Sequence, residues 1–402
     1  MSHAPRTVSM DELEIPARSA WRRLPLLAGA VGALGIAASA LLGRGEPGFY
    51  FSWLVAVLFW LSIAIGSLFF VLVHHATKAG WGVVVRRLAE NVAATIPLFF
   101  VLFAVPVYLG MQDLYHWAEP DAAAHDHVLQ GKQAYLNPGF FWLRALLYFV
   151  LWSGLALWFR QTSRRQDRTG DHELSRRMSR ASYPSLIVFA LTVTFAAFDW
   201  IMSLEPHWYS TIFGVYFFAG CVMASFGGLT LLALALTRSG YLRNSITVEH
   251  FHDLGKLLFT FMVFWSYIAF AQFFLIWYAN IPEETVWFLA RLEGGWRPVT
   301  VLLAVGHFAA PFLYLVPRTI KRRRPLLLLG ATWMLLIHLL DLHWLVMPTL
   351  GGGPAESLSS ELAAVLGVGG ISVAALGWLL AGAPLVPVRD PRLLESLAFE
   401  NV

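Results

Sequence analysis

The sequence predicts an all-α integral membrane fold of ten transmembrane helices, arranged as two four-helix bundles with two flanking helices. Three observations predict it. Hydrophobic residues make up 57% of the 402 and charged residues only 13%, against about 25% charge in a soluble domain. Apolar stretches of about 20 residues, the length that crosses a bilayer, recur along the whole chain. The basic residues, finally, are confined to alternate connections between those stretches.

Taken in order, the spans fall near 24–43, 50–73, 92–110, 139–159, 184–204, 208–235, 254–279, 298–317, 326–347 and 362–383. Residues 1–23 precede them as an N-terminal segment, 24–383 form the membrane domain, and 384–402 form a C-terminal tail. The first span carries a small-residue "ASA" at 38–40, as a signal peptide would. Asp11, Glu12 and Glu14 before it, and its length, argue for a retained helix instead. The N-terminal segment, the connections after spans 2, 4, 6 and 8, and the tail hold 23 of the 29 Lys and Arg, whereas the opposite connections hold four: Arg44, Lys132, Arg291 and Arg297. By the positive-inside rule, both termini are cytoplasmic. The basic runs "RQTSRRQDRTGDHELSRRMSR" (160–180) and "RTIKRRR" (318–324) then read as topology signals beside lipid headgroups, not as a nucleic-acid surface.

On the other side, residues 111–138 carry four acids, one Lys, three His and several aromatics, while 280–297 hold Trp287 and Trp296. Such loops suit either a docking surface for a partner or an interfacial aromatic belt.

Within the bilayer two acids stand out, Asp199 in span 5 and Asp341 in span 9. Each is followed by tryptophan, in "FDWIMSLEPHW" and "LDLHWLVMP". Both spans run outward, so both acids sit near the outer ends of their helices, in equivalent places if spans 2–5 and 6–9 are a degenerate parallel repeat. At similar depth lie Arg144, a candidate counter-charge for Asp199; His338, one turn before Asp341; and His307, one turn before Pro311. An ionisable residue inside a membrane is a functional candidate by default, because its insertion costs about 2.5–3.5 kcal/mol even on lenient scales.

Carboxylates and imidazoles at this depth fit two tasks. A quinol headgroup needs two hydrogen-bonding or proton-accepting groups in an apolar slot, and a proton pathway needs the same residue types. On the cytoplasmic side, His74 and His75 end span 2, and "VEHFHDLGK" brings His252, Asp253 and Lys256 to the start of span 7; together they are candidates for proton entry. Cys221 is the one cysteine, so a cysteine-held iron–sulfur cluster belongs to a partner. The few buried histidines lack the matched pairs that transmembrane haem requires.

Two stretches add a resemblance. "AFDWIMSLEPHWYSTIFGVYFFAG" (197–220) and "HFHDLGKLLFTFMVFWSYIAFAQFFLIWYANIPEETVWF" (250–288) resemble the ActF-type membrane subunits of bacterial alternative complex III, within the wider polysulfide-reductase, NrfD-like membrane family. The resemblance is densest over residues 190–300. It implies a subunit of a quinol:cytochrome c oxidoreductase in the bacterial inner membrane. Its implied neighbours are a paralogous NrfD-like membrane subunit, an iron–sulfur protein and multihaem cytochrome c subunits. Haem and clusters would reside in those partners, with quinol or menaquinol as the small-molecule ligand. The residues by themselves leave two other classes open, a proton-coupled secondary transporter and a purely structural membrane anchor. Against the transporter, no clearly broken helix marks a substrate site in the sequence.

The charge asymmetry yields a direct test. Cysteines introduced at position 168 or 322 are expected to react with an impermeant thiol reagent only from the cytoplasm, and one at position 123 only from outside; the reverse pattern would invert the orientation assigned to every site.

Overall fold

The computed structural model describes residues 9–124 and 126–401; residues 1–8 of the N-terminal segment, His125 of the 111–138 loop and Val402 lie outside the described residues. Ten helices in it are long and apolar enough to cross a membrane: α1 (Leu24–Leu42), α2 (Gly48–Ala76), α3 (Val83–Leu109), α4 (Pro138–Thr169), α5 (Glu173–Leu204), α6 (Phe213–Arg238), α7 (Val248–Ala279), α8 (Trp296–Leu315), α9 (Arg324–Leu350) and α10 (Leu358–Leu380). The protein is an all-α multi-pass membrane protein.

Within α2–α5, consecutive helices touch and α5 closes back on α2; α6–α9 repeat the pattern, with α9 closing on α6. The two bundles meet through α2 against α6, α2 against α9 and α5 against α6. Exchanging the bundles maps these three largest contacts onto themselves, as in a parallel repeat, while a smaller contact of α3 with α6 has no counterpart of like size. The most apolar windows of α2 and α6 are 83% and 78% buried, so these two helices form the core, whereas the α1 window is only 11% buried. The α2–α6 crossing is close because Gly66 leaves no room for a Cβ against the Cys221 carbonyl, and Ser67 and Ser225 bond across it at 2.9 Å. Small residues let helix backbones approach where lipid provides no hydrophobic drive. The flanking pair α1 and α10 uses the same device, Gly35 lying on the Gly367 backbone, and α10 seats the pair on α2.

The three largest boundary shifts from hydropathy are the start of the third span, the end of the fourth and the start of the fifth. The third span starts at Val83 rather than 92, because Arg86, Arg87 and Glu90 depress the hydropathy of a helical segment that is wholly buried. It breaks at Ala94–Thr95, before Pro97, whose ring and missing N–H disallow a normal bond to the carbonyl four residues back. The basic 160–180 run is not a loop: α4 continues to Thr169, Gly170 adopts the left-handed conformation (φ 70°), and α5 begins at Glu173. The eighth span is also interrupted, since Ala304–Ala309 form a π-helical turn.

The basic end is locked by charge. Arg87, fully buried, donates to Glu90 (2.9 Å), Asp167 (2.6 Å) and Ser163 (2.9 Å), tying α3 to α4. Arg86 bonds Glu90 (3.2 Å) and Asp390 (2.5 Å), clamping the C-terminal tail beneath the bundle. The N-terminal segment joins the same end, where the Leu385 N–H donates to the Leu13 carbonyl and the Leu242 N–H to that of Glu12. The described parts of both terminal segments, 9–23 and 384–401, are thus joined to the bundle. Removing one partner from a buried ion network costs about 3–5 kcal/mol. Arg87→Met should accordingly lower the thermal unfolding midpoint in detergent and expose the tail to protease; an unchanged midpoint and cleavage pattern would show that the network carries no stability.

Candidate functional site: two buried carboxylates in equivalent helices

Asp199 and Asp341 occupy matching positions near the same ends of α5 and α9, and each is 1% exposed, but their surroundings differ. Arg144, on α4, makes a bidentate pair with Asp199, with Nε to Oδ2 and Nη2 to Oδ1 both 2.8 Å. Its third arm donates to the Tyr135 carbonyl at 2.9 Å, and the guanidinium stacks over the Tyr135 and Phe140 rings at 3.8 and 4.3 Å. Tyr148, one turn beyond Arg144, donates to Asp199 Oδ2 at 2.8 Å. The fork geometry of Arg engages both carboxylate oxygens, and Oδ2 takes a second bond from Tyr148. The 111–138 loop then seals this site from above: Tyr115 donates to the Trp200 carbonyl, Trp117 to that of Ser203, and Lys132 to that of Pro206. Outside the membrane-spanning segments, Asp126 in that loop bonds His207 at 2.5 Å, a contact that lowers the Asp126 carboxyl below its ordinary range.

Asp341 has no cation partner among the described residues. The Tyr216 hydroxyl of α6 donates to Oδ1, and the Trp265 indole of α7 faces the same carboxylate. Behind Trp265 lies His307, its ring stacked on the indole with centroids 3.5 Å apart. His307 belongs to the π-helical turn, and Pro311 explains that turn, because the proline can neither accommodate nor bond the carbonyl of residue 307 in an α-helix. The loosened Gly306 carbonyl is taken by the Trp333 indole at 2.7 Å. His307 Nε2 meets the Met223 sulfur at 3.2 Å. One turn before Asp341, His338 Nε2 meets Ser62 Oγ of α2 at 3.0 Å; since the Ser62 hydroxyl donates to the Phe59 carbonyl, the imidazole is the donor. The Nδ1 atoms of His307 and His338 are buried without a hydrogen-bond partner among the described residues. Asp341, His307, His338 and Ser62 thus form a polar row through an otherwise apolar bundle.

A cavity of about 350 Å³ opens beside this row, between α7 and α8. Tyr216, Trp265, Gln272 and Thr300 supply its polar lining, and Phe273 and Phe288 are among its apolar walls. Phe270 and Val301 on its rim are 64% and 55% exposed, on the outer surface of membrane-spanning helices, so the cavity communicates with the lipid side.

The candidates for proton entry do not assemble as one group. His74 and His75 are buried at the end of α2, His74 near Trp81 and His75 against Phe159. His252, Asp253 and Lys256 lie at the start of α7, where Lys256 pairs with Asp253 at 2.5 Å and both bond Asn401 of the tail. Among the described residues no hydrogen bond or ion pair joins the two sets. Nor are Trp287 and Trp296 a docking surface or an interfacial belt. Both are buried: Trp287 stacks on Trp208 at 4.4 Å, and the Trp296 indole donates to the Gly352 carbonyl.

Sequence reasoning missed several members. Tyr148 was legible, being four residues from Arg144 on one face of the helix. Tyr216, Trp265 and Ser62 carry no local signal. Arg291, read only as a loop charge, is fully buried in the connecting helix Pro282–Leu292. It donates to the Trp344 and Leu345 carbonyls near the C-terminal end of α9, where a helix presents unpaired acceptors. Its burial pulls the guanidinium below its usual pKa. His343 and Glu361 form a further buried pair at 2.7 Å between α9 and α10.

The chain matches no protein-family model, and no curated protein is significantly similar to it. What fold and site define is a class: a membrane protein with ten membrane-length helices among the described residues, in which Asp199 is sealed in an ion pair and Asp341 stands without a cation beside a lipid-facing cavity.

That contrast is testable. Asp199→Asn should lower the thermal unfolding midpoint by leaving Arg144 uncompensated, and Asp199→Leu with Arg144→Met should recover much of the loss. If the double variant is no more stable than the single, the pair is not what holds α4 to α5.

Proposed function

We propose that this chain is an integral membrane subunit of a quinol-oxidising respiratory complex of the alternative complex III type, contributing a quinol-type pocket and a proton pathway centred on Asp341. The observation that carries the reading is the lipid-facing cavity whose inner wall is Tyr216, hydrogen-bonded to Asp341. A flat apolar ring with an isoprenoid tail enters such a slot from the bilayer, and hydroxyls on the ring find Tyr216, Gln272 and Thr300. Tyr216 stands between cavity and acid. A ring hydroxyl can therefore pass its proton to the Tyr216 oxygen as the tyrosine gives its own to Asp341.

Oxidation of a quinol releases two electrons and two protons. In this reading the electrons leave through cofactors of partner subunits, such as an iron–sulfur protein and multihaem cytochrome c, and this chain handles the protons. His307 and His338, with free Nδ1 acceptors, extend the proton-handling row toward α2. The orientation inferred from the loop charges puts Asp341 near the outer face of a bacterial inner membrane, with both termini cytoplasmic.

The sequence offers both Asp199 and Asp341 as exchanging acids. The bidentate Arg144 pair and the Tyr148 hydroxyl support a role for Asp199 in bundle assembly, and there the structural-anchor reading draws support. The π-helical turn at His307 is the helix interruption that a secondary transporter would use, so that reading stays as the alternative.

Asp341→Asn and Tyr216→Phe keep shape and remove the titrating or relaying group. Each is expected to lower quinol-dependent turnover or protons moved per electron by tenfold or more in a complex that still assembles with its partners. Wild-type turnover and coupling in both variants, or purification as a self-sufficient oligomer that moves solute in proteoliposomes, would defeat the reading.

A further inference from the structure

At the opposite end from the two acids, a second cavity of about 550 Å³ opens between three segments. One wall is a single face of α5. His172, at its N-cap, and Ser175, Arg176, Ser179, Arg180 and Tyr183 fall at i, i+3, i+4, i+7, i+8 and i+11, so a helix presents them on one face. The facing walls are Lys78, in the turn after α2, and Pro391 and Arg392 of the C-terminal tail. The Tyr183 hydroxyl donates to the Ala76 carbonyl at 3.2 Å and ties the α5 wall to that turn. Lys78 is held at φ 52°, a left-handed conformation that a lysine adopts only when its surroundings impose it.

The charge here is not neutralised from within. Four permanent cations, Lys78, Arg176, Arg180 and Arg392, line the cleft. Glu173 serves Arg176 at 3.1 Å and Arg180 at 3.5 Å, both at exposed side chains. Asp171 is engaged with the Glu173 backbone N–H and Asp390 with Arg86. Lys78 and Arg392 make no ion pair among the described residues; with Glu173 on the α5 wall and the Glu395 carboxylate against Gly80, beside Lys78, the cleft keeps an excess of about two positive charges before His172 is counted.

The same face of α5 continues into the membrane as Ile187 and Leu191, 66% and 56% exposed. A phosphate group in the cleft would therefore sit directly above an open apolar track on the same helix. We propose that this cleft is a specific site for an anionic phospholipid, its phosphodiester headgroup held by Lys78, Arg392, Arg176 and Arg180 and its acyl chains laid along Ile187 and Leu191. The basic side chains supply the point charges and forked donors that phosphate oxygens accept. The apolar track distinguishes a lipid from a free phosphate, which has no use for it. The site is independent of the quinol reading, since it shares no residue with the cavity beside Asp341.

Native mass spectrometry of the detergent-solubilised full chain, titrated separately with cardiolipin, phosphatidylglycerol and phosphatidylethanolamine, tests this. The anionic lipids are expected to bind at least tenfold more tightly than phosphatidylethanolamine. Each basic contact near such a headgroup is worth about fivefold in affinity, so Lys78→Ser with Arg392→Ser should weaken anionic binding about 25-fold. Lys78→Arg with Arg392→Lys should restore most of it. Ile187→Asn with Leu191→Asn should weaken it while leaving millimolar glycerol 3-phosphate without effect. Equal binding of all three lipids, or anionic binding indifferent to the charge-removing pair, overturns the site. Displacement of the lipid by millimolar inorganic phosphate, with no effect of the Ile187 and Leu191 changes, makes it a soluble-phosphate site and overturns the lipid assignment. If the charge-removing variant does not fold, the same decision falls to Arg176→Gln with Arg180→Gln, on the exposed wall, where unchanged anionic binding counts against the proposal.

Discussion

The close crossing of α2 and α6 is the constraint on which the rest of the structure depends. Lipid tails are as apolar as leucine, so packing, not water exclusion, must hold transmembrane helices together. Gly66 supplies the missing Cβ that lets the two backbones touch at Cys221, and the Ser67–Ser225 bond fixes the register. Each of these helices founds one four-helix bundle, and each bundle closes on its own fourth helix. The α2–α6 contact thereby sets where α5 and α9 stand, and with them the two acids.

From this common plan the halves diverge by what faces the acid. In one, Arg144 projects from α4 and closes a bidentate pair that the outer loop then covers. In the other, α8 has no such arginine; its π-helical turn carries His307 onto Trp265 and opens a gap toward α7. Arg291, the nearest buried cation in that half's outer connection, is spent on the carbonyls at the end of α9. A membrane-embedded carboxylate needs a partner, and where the fold withholds a cation the acid is left with hydroxyl, indole and cavity. One half thus holds its acid in an ion pair, and the other leaves its acid without a cation among the described residues.

The two ends of the molecule also divide their labour. At the basic end, buried arginines bind the terminal segments to the bundle, while the cations left over face a cleft at headgroup depth. At the far end, aromatic side chains donate to backbone carbonyls of the helix ends, so the connecting loops serve as plugs. This explains why the tryptophans of those loops are buried although their sequence context suggests a surface.

Hydropathy and charge placement determined the all-α membrane fold, the ten spans and, through their alternation, which connections share an end, because bilayer thickness and headgroup charge act on local composition. The pairing of Asp199 with Arg144 was within reach for the same reason, as two buried charges near the ends of adjacent antiparallel helices have few other partners. Tertiary structure alone decided that Asp341 would have no counter-charge, that His338 would find Ser62, and that Lys78, Arg392 and one face of α5 would converge. Ser62 and His338 are 276 residues apart in sequence. No periodicity within a single helix carries information about a neighbour that arrives from another repeat, so rotation and depth between helices had to be set by packing before either site existed.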